Sequence, residues 1–153
     1  MKDYFLGLFK YNDWANQNLL ICLQKNKVKE EKVLTLYNHI IAAQNIWLNR
    51  INNLPSENLE LWETKKLLDL IDLTHKSSED WINFLHDYKM SSFEEVIAYQ
   101  STEGESFETG LADIIIHVVN HGTHHRAEIM QLLRSNDIAP PQIDYIFFCR
   151  EKV

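Results

Sequence analysis

Apolar residues recur at alternating steps of three and four along four stretches of this 153-residue chain. A helix turns by about 100° per residue, so this spacing gathers the apolar side chains on one face. The pattern therefore predicts four helices that each bury one face. They run from about Asp3 to Gln24, from about Glu30 to Asn53, from roughly Thr64 to Tyr88, and from about Thr109 to Asn136.

Residues 92–107, between the third and fourth predicted helices, have a different character. Val96, Ile97 and Tyr99 favour an extended strand, and the turn-forming segment that ends in Gly104 follows them. We expect a short β-hairpin or extended segment here. Thr109 is the expected N-cap of the last helix, which the two prolines after it must end. The predicted fold is all-α: one domain over residues 1–153, a four-helix bundle with this hairpin inserted.

The net charge and the lengths of the apolar stretches argue against nucleic acids and membranes as partners. The net charge of −7 repels a phosphate backbone, and the lysine-rich residues 25–32 are interrupted by glutamates, as in a solvated connector. No apolar stretch is long enough to span a bilayer, and no secretory leader is visible. Cys22 and Cys149 lie far apart without a CxxC partner, so we expect reduced thiols. We predict a cytoplasmic protein without nucleic-acid or membrane partners.

Three histidines, His117, His121 and His125, recur at four-residue steps in the last predicted helix. Residues four apart share a helix face, so such imidazoles can converge on one metal ion. An apolar stripe points His121 and His125 toward the interior, where unpartnered polar rings are costly. The stripe consists of Leu111, Ile114, Val118, Ile129 and Leu132.

A third metal ligand is expected from a neighbouring helix, because one helix supplies two ligands comfortably. His75 and His86 stand beside charged residues, and we interpret both as facing solvent. His39 lies among apolar residues of the second helix and is the better candidate. From periodicity alone, His39 is either a ligand or a hydrogen-bonded core residue.

Five other residues receive a structural interpretation. We expect His117 to be a core or supporting histidine that donates to a backbone carbonyl, and His124 to face the bundle edge or solvent. Asn120, Trp14 and Trp47 could line a pocket, but aromatic residues at helical spacing are more often core, and we interpret all three so.

Competing metal motifs are absent from the sequence. Neither HExxH nor ExxH occurs, which argues against a zincin and against a ferritin-like di-iron bundle. A site of two histidines and one carboxylate, built from His121, His125 and Glu128, stays open.

Four segments together resemble the DinB family of bacterial metal-binding four-helix bundles. They are residues 120–126 (Asn-His-Gly-Thr-His-His-Arg), residues 37–50, residues 11–16 and the tail at residues 140–150. The resemblance implies a three-histidine site of His39, His121 and His125 that binds a divalent ion, with zinc and nickel as leading candidates. The family pattern usually has Gly and Gln where this chain has Ala127 and Glu128. Glu128 could add negative charge near the metal, which leaves the ligand count and metal preference open.

Three imidazoles leave open positions on the ion, the arrangement of catalytic zinc sites. Similar proteins include thiol-dependent transferases, so the resemblance implies transfer of a small thiol to an electrophilic small molecule. Two alternatives remain: a non-catalytic metal-binding stress-response protein, and a metal-dependent hydrolase with Glu128 as the only local base. A homodimer is a further expectation. The family name suggests a link to DNA damage, but the negative charge argues against direct DNA contact.

Overall fold

Four long helices make up most of the computed structural model, which describes residues 1–55, 60–89 and 93–150. A two-stranded hairpin precedes the last long helix, and a five-residue helix follows it. The elements are α1 (Lys2–Lys25), α2 (Glu31–Ile51), α3 (Leu67–Asp87), β1 (Val96–Gln100), β2 (Ser106–Gly110), α4 (Leu111–Ser135) and α5 (Tyr145–Cys149). The all-α class with a short hairpin is thus confirmed.

The hairpin lies where the sequence predicts it. Its strands are antiparallel, with Val96 opposite Gly110 and Gln100 opposite Ser106. Gly104, in the turn, has φ +84°, a conformation that glycine adopts without steric cost. The prediction of Thr109 as helix cap is wrong. Thr109 pairs with Ile97 in the hairpin, because β2 continues directly to the first residue of α4.

Each long helix packs against two others. α1 contacts α3 and α4, and α2 contacts the same two helices, so the four form a closed ring in the order α1, α3, α2, α4. None of the helices in the described part of the chain carries an apolar stretch that could cross a membrane. The ring brings the middle of α2 against the middle of α4, where the histidines lie.

A chain of buried polar side chains crosses the centre of this ring. Arg126 of α4 donates from Nη1 to Asn12 Oδ1 on α1 at 2.7 Å. Asn12 Nδ2 donates to Gln44 Oε1 on α2 at 2.5 Å, and Gln44 Nε2 donates to Ser77 Oγ on α3 at 3.0 Å. All four residues are at most 2% exposed. One hydrogen-bonded chain therefore links all four long helices. We refer to Arg126, Asn12, Gln44 and Ser77 as the polar chain.

The polar chain also requires close approach of the backbone at Gly122. A Cβ atom at this position would lie 2.8 Å from Asn12 Oδ1 and 2.9 Å from Arg126 Nη1. Both distances are shorter than a carbon can tolerate. A side chain at this position is therefore excluded unless the polar chain moves.

We predict that Gly122→Ala lowers the free energy of unfolding by about 1–3 kcal/mol, because the added methyl group overpacks the helix interface and separates buried hydrogen-bonding partners. Urea denaturation measures the change. Gly7→Ala is the matched control, since Gly7 is also in a helix but a Cβ atom added there would have no heavy atom within 4 Å. That change should be neutral or stabilise by up to about 1 kcal/mol. Equal effects at the two positions contradict the structural role of Gly122.

Candidate metal centre

Three imidazole rings meet between α2 and α4. His39 comes from α2, and His121 and His125 come from successive turns of α4. The Nε2 atoms of His39 and His121 are 3.1 Å apart, and those of His125 and His121 are also 3.1 Å apart. One nitrogen from each of the three rings lies within 4.8 Å of the other two. The structure thus brings together the three histidines that the family resemblance selects.

The rings occupy the edge of the core rather than its centre. His39 is 7% exposed, whereas His121 and His125 are partly buried. Of the predicted apolar stripe, Leu132 is partly buried and the other members are fully buried. That stripe anchors α4 and leaves its histidine face along the seam with α2. The site is therefore shielded by protein and still reachable from solvent.

In two of the rings, a hydrogen-bond acceptor beside Nδ1, the outer nitrogen that points away from the cluster, shows which nitrogen carries the proton. His39 Nδ1 lies 3.2 Å from the Leu61 carbonyl oxygen, and His125 Nδ1 lies 2.6 Å from Glu128 Oε2. Both oxygens only accept, so each Nδ1 carries the hydrogen. In a neutral ring the Nε2 atom then has a lone pair. Two lone pairs consequently face His121 Nε2, which can donate to at most one of them.

This donor set fits a divalent metal ion. At a metal–nitrogen distance of 2.0–2.1 Å, two imidazole nitrogens of a tetrahedral site lie about 3.3 Å apart. The two 3.1 Å separations are close to that value. A cation among the three Nε2 atoms would replace a contact that hydrogen bonding cannot satisfy.

Burial keeps His39 and His121 in the neutral, ligating form. Burial, followed by the nearby His125 and His39, lowers the pKa of His121 to about 3. Burial, followed by His125, also lowers the pKa of His39 below its ordinary value. Metal binding near neutral pH therefore displaces no proton from these two rings.

The segment that precedes α3 covers the outer side of the site. The Trp62 ring stacks on His39 with centroids 3.8 Å apart and planes 13° from parallel. Asn38 Nδ2 donates to the Glu60 carbonyl at 3.3 Å, and the Thr35 and Thr64 hydroxyls are 2.6 Å apart. These contacts lay the segment along α2. The contacts of Leu61 and Trp62 with His39 were not predicted from the sequence. The one feature that could have indicated them is an aromatic residue, Trp62, in the connector before α3.

Two cavities adjoin the residues that contact the imidazoles. One, of about 510 Å³, is bordered by Trp62, and the other, of about 270 Å³, is bordered by Glu128. Lys32 and Leu36 of α2 line both of them. The cavities therefore flank the three-histidine cluster on the sides of Trp62 and Glu128, and none of the three histidines lines either cavity.

Comparison with known proteins identifies related sequences. The model of the DinB family matches residues 1–152. The chain belongs to the DinB family. It is also similar to the protein named Protein DinB of Bacillus subtilis (strain 168). The two sequences are 25% identical over an alignment 162 residues long, gaps included, which covers 95% of this chain and 93% of that protein.

The remaining histidines of this DinB-family chain lie outside the cluster. His75, His86 and His124 are exposed, as expected. The expected carbonyl partner of His117 is not found among the described residues. The His117 side chain is exposed and its ring packs edge-on against Trp47 at 5.3 Å, because its position on α4 faces the side of α2 instead of a free carbonyl.

The other residues weighed as pocket candidates lie away from the cluster. Trp14 and Trp47 pack against the hydrophobic core, as expected for structural aromatic residues. Asn120 is exposed, so its interpretation as a core residue is wrong. The two cysteines, Cys22 and Cys149, are free thiols.

We predict that His39→Ala abolishes stoichiometric binding of a divalent ion, because it removes the only ligand that α2 contributes. Metal analysis after dialysis against zinc or nickel measures the bound equivalents. His75→Ala, which removes an exposed histidine of α3, should leave them unchanged. Full metal content in His39→Ala together with its loss in His121→Ala contradicts a site shared between two helices.

Proposed function

We propose that this chain is a metal-dependent enzyme with four-helix-bundle architecture that transfers a small thiol to an electrophilic small molecule. In this proposal His39, His121 and His125 hold one divalent ion, zinc or nickel. The observation that carries the proposal is the convergence of one imidazole nitrogen from each of three histidines, all within 4.8 Å of one another. The closed ring of four helices supports the bundle architecture.

The number of ligands supports a catalytic site over a structural one. Within the described residues, no fourth histidine, cysteine or carboxylate joins the cluster of His39, His121 and His125. Structural zinc sites use four protein ligands, whereas catalytic sites use three and leave a position for water or substrate. Imidazole suits zinc and nickel alike, so the ligand type does not separate them.

The residues around the cluster have distinct parts in this proposal. Leu61 and Glu128 hold the outer nitrogens of two ligands, and Trp62 covers one face of His39. A bound divalent ion would supply the positive charge that favours the thiolate form of a thiol. The electrophile occupies the cavity next to Trp62. The sulfur electron pair forms the new S–C bond, and the thiol proton passes to solvent. The bond between that carbon and the leaving group breaks, and the leaving group departs with the electron pair of the broken bond.

Two observations favour this activity over the alternatives. A non-catalytic metal-binding stress-response protein needs no organic pocket, whereas here two cavities are lined by Trp62 and Glu128, which contact His39 and His125. A metal-dependent hydrolase needs a free base beside the ion. Glu128, the only local candidate, is bonded to His125 Nδ1 at 2.6 Å and so faces the outer side of the ligand. The homodimer and the cytoplasmic location stay predictions.

We predict that a low-molecular-weight thiol such as 2-mercaptoethanol changes the spectrum of the cobalt-substituted protein, because a sulfur ligand adds a charge-transfer band to a nitrogen–oxygen site. Absorbance titration in the near ultraviolet measures the band. It should be absent from His125→Ala. It should persist in Cys22→Ser and in Cys149→Ser, because the added thiol supplies the sulfur.

The same variants test turnover with 1-chloro-2,4-dinitrobenzene as the electrophile. The proposal expects thiol conjugation above the uncatalysed rate only with metal present, and none in His125→Ala. No spectral change with several thiols, together with no metal-dependent rate, would favour the non-catalytic alternative. The spectral result carries more weight, since this electrophile has not been shaped to the cavity.

A further inference from the structure

The three imidazoles of the cluster differ in what holds their outer nitrogen. His39 Nδ1 donates to a neutral carbonyl, and His125 Nδ1 donates to the carboxylate of Glu128. His121 Nδ1 has no hydrogen-bond partner within the described residues. His125 is therefore the only ligand candidate whose orientation depends on a charged side chain.

Glu128 is well placed for this contact. It lies three residues after His125 on α4, a spacing at which side chains of a helix touch. Its Oε2 atom is 2.6 Å from His125 Nδ1, while its Oε1 atom is 3.8 Å from His124 Nε2. The His125 side chain is 12% exposed and the Glu128 side chain is 45% exposed, so the carboxylate reaches inward from the surface.

We propose that Glu128 is a positioning residue of the metal centre, which holds the proton of His125 on Nδ1 and aims the Nε2 lone pair at the ion. The inference rests on the proposed three-histidine site and names a further residue for it.

A neutral imidazole can carry its proton on either nitrogen, and only the unprotonated nitrogen can bind a metal. Without Glu128, part of the His125 population would carry the proton on Nε2 or rotate away from the cluster. The carboxylate removes both alternatives, and its charge makes the ring a stronger donor. Partners of this kind change metal affinity by about 10–100-fold when they are removed.

His124, His125 and Glu128 could themselves form a second metal group. That arrangement needs His125 Nδ1 free of its proton while Nε2 binds the first ion. A contact of 2.6 Å to a carboxylate is what a protonated Nδ1 makes, so the geometry points to positioning. A second bound ion becomes an outcome of the experiment.

Isothermal titration with zinc compares the wild-type chain with Glu128→Ala and Glu128→Gln. We expect one equivalent throughout, a dissociation constant about 10–100-fold higher in Glu128→Ala, and a smaller increase in Glu128→Gln, which keeps a neutral acceptor. Two controls are matched. Glu79→Gln removes an equivalent exposed charge from α3, and His124→Ala removes the other neighbour of Glu128. Both should bind as the wild type does.

The tautomer of His125 gives a readout that needs no metal. Long-range ¹H–¹⁵N correlation spectra of the metal-free protein should show the proton on Nδ1 in the wild type and His124→Ala. They should show mixed or Nε2 protonation in Glu128→Ala. A role of Glu128 in folding alone would change stability and leave this tautomer unchanged.

Unchanged affinity or an unchanged tautomer in Glu128→Ala overturns the inference while leaving the proposed function intact. Two equivalents in the wild type, with one lost in His124→Ala, overturns it in favour of a second metal site. A wild-type chain that binds no zinc or nickel overturns the proposed function and this role together.

Discussion

The polar chain that crosses the helix ring sets the geometry of everything else. The hydrophobic effect is non-directional, whereas buried donors and acceptors must keep particular partners. Arg126, Asn12, Gln44 and Ser77 are buried and bonded in sequence from α4 to α3. A shift of any one helix would leave a guanidinium or amide without a partner in the core. Gly122 permits the approach that makes the first of these bonds short.

The same constraint fixes the positions of the histidines in the candidate metal centre. Arg126 directly follows His125, so the bond that fixes α4 against α1 also fixes the rotation of the histidine face. Gln44 lies little more than one turn after His39 on α2, and its bond to Asn12 holds that helix in register with α4 through α1. The interior arginine thus positions the imidazoles without belonging to the three-histidine cluster. The segment at Leu61 and Trp62 then completes the site from outside.

The sequence predicts those parts of the structure that depend on residues close together in the chain. The four long helices and the shared face of His121 and His125 follow from periodicity, and the hairpin follows from its β-branched and aromatic residues and the turn that ends in Gly104. Periodicity left His39 ambiguous, because the face of a residue on its own helix does not say which helix lies opposite. The family resemblance, which carries information about tertiary contacts, selected it. The prediction of Thr109 as a helix cap was wrong because Thr109 pairs with Ile97 in the hairpin, a contact that the local pattern does not show.

The hydrogen bonds at the Nδ1 atoms of the imidazoles could not be predicted from the sequence. The amino-acid sequence does not indicate that the Leu61 carbonyl accepts a hydrogen bond from His39, because every residue has a carbonyl. Glu128 was recognised as a charge near the site, but its hydrogen bond to the outer nitrogen of His125 depends on side-chain geometry.

The short helix α5 was not predicted either, since five residues are too few to show a helical period.

X-ray absorption spectroscopy of the zinc-loaded protein tests the central claim most directly, because it reports the atoms bound to the ion. The account predicts nitrogen or oxygen neighbours at about 2.0–2.1 Å, with outer-shell scattering that fits three imidazoles and no sulfur. A sulfur neighbour at about 2.3 Å, or scattering from fewer than two imidazoles, would contradict a site made by His39, His121 and His125.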